Sequence, residues 1–256
     1  GWDTWRALLG HPRLPRLFLC GGLASGLFVA AYNYASFHLQ SPPFSLPATQ
    51  VGLIFACYLA GVVSSGVSGR FTARWGLYRA ALGMAGVTAV GLGLGLVPSL
   101  SVFVPGLAVM TFGFFALHAV CSGWVGREAG ALKSQATALY LLSYYVGGSL
   151  LGYLGGWLWE HGGWPALTAG LLAALGAIAW QLWRFVAPGL YKSEKGAFLP
   201  FLVASPLMFF FGAAFFLPLA GPLAARSVIS TMASSAVSAS GCLSRGRVAL
   251  VVPSVT

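Results

Sequence analysis

Few side chains in this 256-residue sequence are equipped for chemistry, and their placement excludes most of it. The four acidic residues, Asp3, Glu128, Glu160 and Glu194, stand singly and far apart. Paired-carboxylate hydrolysis, Ser-His-Asp catalysis and a metal centre each need several such groups converging on one place. No catalytic residue, metal ligand or cofactor is therefore assigned. Cys20, Cys57 and Cys121 lie inside apolar runs and Cys242 near the end, without metal-ligand spacing. The first three read as small packing residues. The glycine-rich run 91–95 is no nucleotide loop, because it sits in an apolar stretch with no strand before it. What remains is a set of polar side chains inside otherwise apolar runs, which are costly in lipid unless they face a partner or water. Asn33, His38, His118, Tyr140 and Tyr144 are the candidates for contact with a substrate. Their chemistry is hydrogen bonding and, for the histidines, proton exchange near neutral pH. His38 fits an interfacial position as readily, His118 a hydrogen bond to a neighbouring helix, and the tyrosines an interfacial belt in part.

The elements that must hold these groups follow from composition. Hydrophobic residues make up 58% of the chain and charged residues 7%, against roughly 25% charged in an ordinary soluble domain. Mean hydropathy is +0.83. The net charge of +10 does not indicate nucleic acid, because Lys and Arg cluster between long uncharged stretches. Stretches 17–69, 80–126, 134–159, 161–183 and 197–225 contain no Asp, Glu, Lys or Arg. With about 20 apolar residues needed per crossing, and breaks at residues 40–50 and 97–99, they predict spans near 17–38, 51–69, 80–97, 102–124, 136–158, 165–186 and 197–219. Basic residues occupy alternate connections: Arg6, Arg13 and Arg16; then Arg70, Arg74 and Arg79; then Arg127 and Lys133; then Arg184, Lys192 and Lys195. That alternation predicts a multi-pass inner-membrane protein with a cytoplasmic N-terminus. Polar side chains concentrate in the first, fourth and fifth spans, which are expected to surround a cavity; the third and sixth are nearly devoid of them. Residues 227–241 are small and polar with no helical period, and 226–256 are expected to be a disordered or out-of-frame tail. Gly148/Gly152 and Gly152/Gly156 are spaced for close helix approach.

Two stretches resemble known families. The connection Gly69-Arg-Phe-Thr-Ala-Arg-Trp-Gly-Leu-Tyr-Arg79 resembles the cytoplasmic loop signature of the major facilitator superfamily, with Gly69, Arg74, Gly76 and Arg79 matching and Ala73 where an aspartate would stand. Together with Tyr32-Asn-Tyr34, the segment 50–55, the segment 122–126 and the segment 139–148, it makes residues 10–178 similar to the C-terminal six helices of bacterial efflux-type members. The resemblance implies that the first, second, fourth and fifth helices border a central cavity, and that an N-terminal half of six helices completes the path. From about residue 178 to 225 the chain resembles TatC, a subunit of the twin-arginine protein translocase, over Trp180-Gln-Leu-Trp-Arg and the segment 185–206. There the resemblance implies that Glu194 takes part in signal-peptide recognition, by carboxylate–guanidinium pairing.

The sequence thus predicts an all-α, polytopic transmembrane bundle: a cytoplasmic segment 1–16, a six-helix half of a major-facilitator fold over 17–186, a TatC-like loop and span over 187–225, and a tail 226–256. The expected function is efflux-type, proton-coupled transport of a small organic molecule, with the lipid bilayer, the substrate and protons as partners. The alternatives are a translocase component and an inactive chimeric fragment.

Overall fold

In hydrocarbon, a backbone can satisfy its own N–H and C=O groups only in helices or closed barrels, and the apolar runs of this chain fold as helices. The computed structural model describes residues 2–186. A short α1 (Trp2–Leu9) precedes α2 (Leu14–Gln40); a single turn α3 (Ala48–Val51) continues through the 3-10 segment Gly52–Cys57 into α4 (Tyr58–Leu94). Then come α5 (Leu100–Glu128) and, after the 3-10 turn Gly130–Leu132, α6 (Lys133–Val186). The described residues contain no strand. The expected seventh span 197–219, Glu194 with its loop, and the tail 226–256 lie outside them.

Two of these helices are hairpins in all but name. Gly76 (φ 76°, ψ 163°) interrupts α4, and Gly163 (φ 60°, ψ −152°) interrupts α6. Both occupy a backbone region essentially reserved for glycine. The chain reverses at each. Cys57, just before α4, reaches the Val104 carbonyl, while Leu94 at the end of α4 packs near Gly106, so both extremities of α4 meet the start of α5. Pro165 follows Gly163 in the first turn of the new arm, where its missing N–H costs little. The other reversals are built differently. Between α2 and α3 the Leu46 N–H donates to the Leu39 carbonyl at 2.8 Å, with Ser45 at φ 49°. Between α4 and α5, Ser99 is extended behind Pro98.

The helices pack as two principal pairs, α4 with α5 and α2 with α6, through small residues. A side chain at Gly91 would lie on the Met110 backbone, and one at Gly147 on the Gly22 backbone. Close backbone approach through glycine is how membrane helices gain packing where lipid offers no hydrophobic drive between them. Among the glycines of α2 and α6, Gly147 leaves the least room for a side chain. At Gly152, which the sequence singled out for its spacing, an added Cβ would be 3.7 Å from Val29, an ordinary contact.

Candidate substrate-binding face

Among the described residues, the Lys and Arg side chains sort to one end of the bundle. Arg13 Nη1 donates to Glu128 Oε1 at 3.0 Å, and Arg16 Nη1 donates to the Arg184 carbonyl at 3.2 Å. The start of α2, the end of α5 and the end of α6 therefore share one end. Gly69, Arg74, Gly76 and Arg79 are all exposed. Gly76 has a structural reason, since it makes the reversal inside α4; Arg74 and Arg79 form no ion pair among the described residues. The opposite end is aromatic. His38 stacks on Trp164 with centroids 5.0 Å apart and planes at 3°, and lies edge-on to Phe44 at 5.3 Å. Trp164 is fixed by its indole N–H, which donates to the Gly95 carbonyl at 2.7 Å.

Between the ends, aromatic side chains join four helical arms. Phe55 and Tyr58, on the segment leading into and starting α4, stack at 5.8 Å; Tyr32 of α2 stacks on Tyr58 at 4.8 Å. Phe28 of α2 stacks on Phe114 of α5 at 4.1 Å, and Phe114 approaches His118 at 6.2 Å. His118 then meets the Tyr144 ring of α6 at 4.9 Å, while its Nδ1 is 3.1 Å from the Tyr140 hydroxyl. This chain of contacts runs through α2, the first arm of α4, α5 and the first arm of α6. The second arms, 77–94 and 164–186, contribute nothing to it. Polarity along the sequence left the second span undecided; Phe55 and Tyr58 place it on the same face.

Within this face an open cavity of about 540 Å³ is lined by Phe28, Tyr32, Asn33, Ser36, Gln40 and Tyr58, among others. Of the five substrate candidates, only Asn33 lines it. His118, Tyr140 and Tyr144 form a second cluster further toward the charged end, with Tyr140 buried at 1% exposure. His38 belongs to neither, being held by Phe44, Phe103, Trp159 and Trp164 at the aromatic end. Sequence reasoning missed Gln40, Phe55, Tyr58 and the buried pair Tyr32–Thr111, whose hydroxyls are 2.7 Å apart. Gln40 was findable, since it repeats seven residues after Asn33 and so returns to the same helix face. Phe55 and Tyr58 carry no such signal, because an aromatic in an apolar run looks the same on a cavity wall as in a core.

Comparison with known proteins divides the chain in two. It is 35% identical over 192 residues to YybF, an uncharacterized MFS-type transporter of Bacillus subtilis, covering 74% of this chain and 47% of that protein. It is 40% identical over 156 residues to YnfM, an inner membrane transport protein of Escherichia coli, covering 61% of this chain and 37% of that protein. The chain thus spans less than half the length of these relatives. Residues 164–246 match the family Sec-independent protein translocase protein (TatC). A TatC protein of Helicobacter pylori is 48% identical over 50 residues, 20% of each chain. The chain therefore joins a long stretch similar to MFS-type transporters to a shorter stretch similar to TatC. An alignment as long as the YybF one must include residues 164–186, so the second arm of α6 lies in both likenesses. The translocase likeness begins earlier than the residue near 178 expected from the sequence.

Proposed function

We propose that the described helices form one half of a secondary transporter that carries a small organic molecule across a bacterial inner membrane, with the α2 N-terminus cytoplasmic. A second six-helix half completes the path, and the two rock about a shared central site. The observation that carries this reading is the Asn33 cavity, set in a face shared by four arms and backed by a fixed aromatic stack. The relatives' transporter names support the class of activity. Asn33 is the substrate contact. His118, bonded to Tyr140 and touching Tyr144, is the proton-exchanging group of this half. His38 serves the aromatic end, where four rings surround it.

The test is export of an organic dye from cells producing this chain together with its complementary half. Asn33→Ala slows export severalfold, whereas Val90→Ala, on the exposed face of the second arm of α4, leaves it unchanged. Equal export by the two variants removes Asn33 from the path.

A second reading rests on the TatC match over residues 164–246. In it, Glu194 binds the paired arginines of a signal peptide. A photocrosslinker at position 194 that captures a twin-arginine peptide, and fails with the two arginines replaced, supports this reading; capture of both peptides alike removes it.

A further inference from the structure

We infer that the Asn33 cavity takes an uncharged, planar aromatic molecule bearing amide- or phenol-type hydrogen-bonding groups; this rests on the reading of that cavity as the substrate site. One wall is a set of rings sharing an orientation. Phe55 lies at 6° to Tyr58 and 19° to Tyr32, and Tyr32 at 23° to Tyr58, with centroids 5.8, 5.9 and 4.8 Å apart. Tyr32 is buried and its hydroxyl is tied to Thr111, so the stack is oriented before any ligand arrives. Phe55 is 50% exposed and open to a further flat ring. Preorganisation of this kind lowers the cost of binding, and offset-stacked rings attract beyond their area.

The other wall is a stripe of α2. Asn33, Ser36 and Gln40 return to one helix face and line the same space. Gln40 donates its side-chain amide to the Ser36 carbonyl at 2.9 Å and keeps its own carbonyl oxygen. The Asn33 amide and the Tyr58 hydroxyl have no hydrogen-bond partner among the described residues. The free groups are therefore an amide, an amide carbonyl and a phenol, all neutral. Among the described residues, no Asp, Glu, Lys, Arg or His lines the cavity. An ion entering it would find no counter-charge among these lining residues, and uncompensated charge within a membrane is expensive. The competing ligand is a flat cation, which the ring faces would attract.

Three tricyclic fluorophores of like outline separate these cases: acridone, which is neutral with one N–H and one carbonyl; N-methylacridinium, a permanent cation; and 9-anthracenecarboxylate, an anion. Binding to the full chain in lipid nanodiscs is read by fluorescence anisotropy, with empty discs subtracted. Acridone is expected to bind about tenfold more tightly than either ion. Phe55→Leu and Asn33→Leu should each weaken it about five- to tenfold, and Val90→Ala not at all. Should either leucine variant lose its helical circular dichroism, Tyr58→Phe replaces it, deleting one hydroxyl for a loss of about two- to threefold. Equal or tighter binding of N-methylacridinium that Asn33→Leu weakens overturns the neutral-ligand inference and leaves the cavity as the substrate site. Acridone binding unmoved by the cavity variants, or no binding of any probe, overturns both together.

Discussion

The buried hydroxyl pair Tyr32–Thr111 shows how polarity is afforded inside this bundle. Thr111 Oγ1 donates to the Leu107 carbonyl at 2.7 Å and accepts from Tyr32 at 2.7 Å. The two ends of the bond are therefore not equivalent. Tyr32→Phe leaves Thr111 with its backbone partner and removes one interhelical bond, worth about 0.6 kcal/mol on average in a membrane. Thr111→Val strands a phenol against apolar neighbours, at a cost of about 1–3 kcal/mol. Unfolding of the full chain in mixed micelles is expected to rank Thr111→Val as clearly the more damaging; equal losses would show that the Tyr32 hydroxyl turns to water in the cavity instead. Asn33 was legible in the sequence because an amide in an apolar run has few reasons to be there. The role of Tyr32 was not, since its partner lies 79 positions away and on another helix. His38 was legible only as a choice between two roles, because an imidazole at the end of a span suits a ligand and an aromatic cluster equally.

At the scale of elements, glycines decide both reversals and separations. Gly76 and Gly163 hold backbone angles that cost any other residue about 1–3 kcal/mol, so Gly76→Ala and Gly163→Ala should each destabilise the chain by that order although neither site is crowded by core side chains. Gly91 is a different case. Its backbone angles are ordinary, but a Cβ there would collide with the Met110 backbone, and backbone cannot step aside as a flexible side chain can. Gly91→Val is expected to cost at least about 2 kcal/mol through overpacking and helix displacement. Gly86→Ala, with nothing within 4 Å of the added carbon, should be neutral or stabilising by up to about 1 kcal/mol. If Gly86→Ala were as damaging as Gly91→Val in the same micelle assay, helix approach would not be what the glycine at 91 provides. Hydropathy located the apolar crossings but not their ends: it left gaps at 69–80 and 158–165, which the structure fills with helix on both sides of one glycine. Arg and Glu extend a helix readily while lowering hydropathy, so the gaps marked a change of solvent rather than a change of backbone.

For the whole molecule, the question is which end faces which compartment, and charge is the quantity that decides it. The contacts Arg13–Glu128 and Arg16–Arg184 gather the Arg-bearing connections at one end, while the end holding Phe44, Phe103 and Trp164 has no Lys or Arg in its turns. The sequence alone suggested this segregation, because alternation of basic loops along the chain becomes segregation in space once every crossing reverses direction. What it did not contain was the pairing of helices, which depends on which glycines meet which backbones. Cysteine positions test the proposed orientation directly, since Cys20, Cys57 and Cys121 are buried and Cys242 can be replaced by serine. Ala73 and Thr49 are both exposed, one at each end. In intact cells, a membrane-impermeant maleimide should label Thr49→Cys and spare Ala73→Cys, and permeabilisation should expose Ala73→Cys. The reverse pattern would place the arginines of 70–79 outside, against the preference that keeps Lys and Arg in the cytoplasm. The α2 N-terminus would then lie outside, and the proposed orientation of this half would fail.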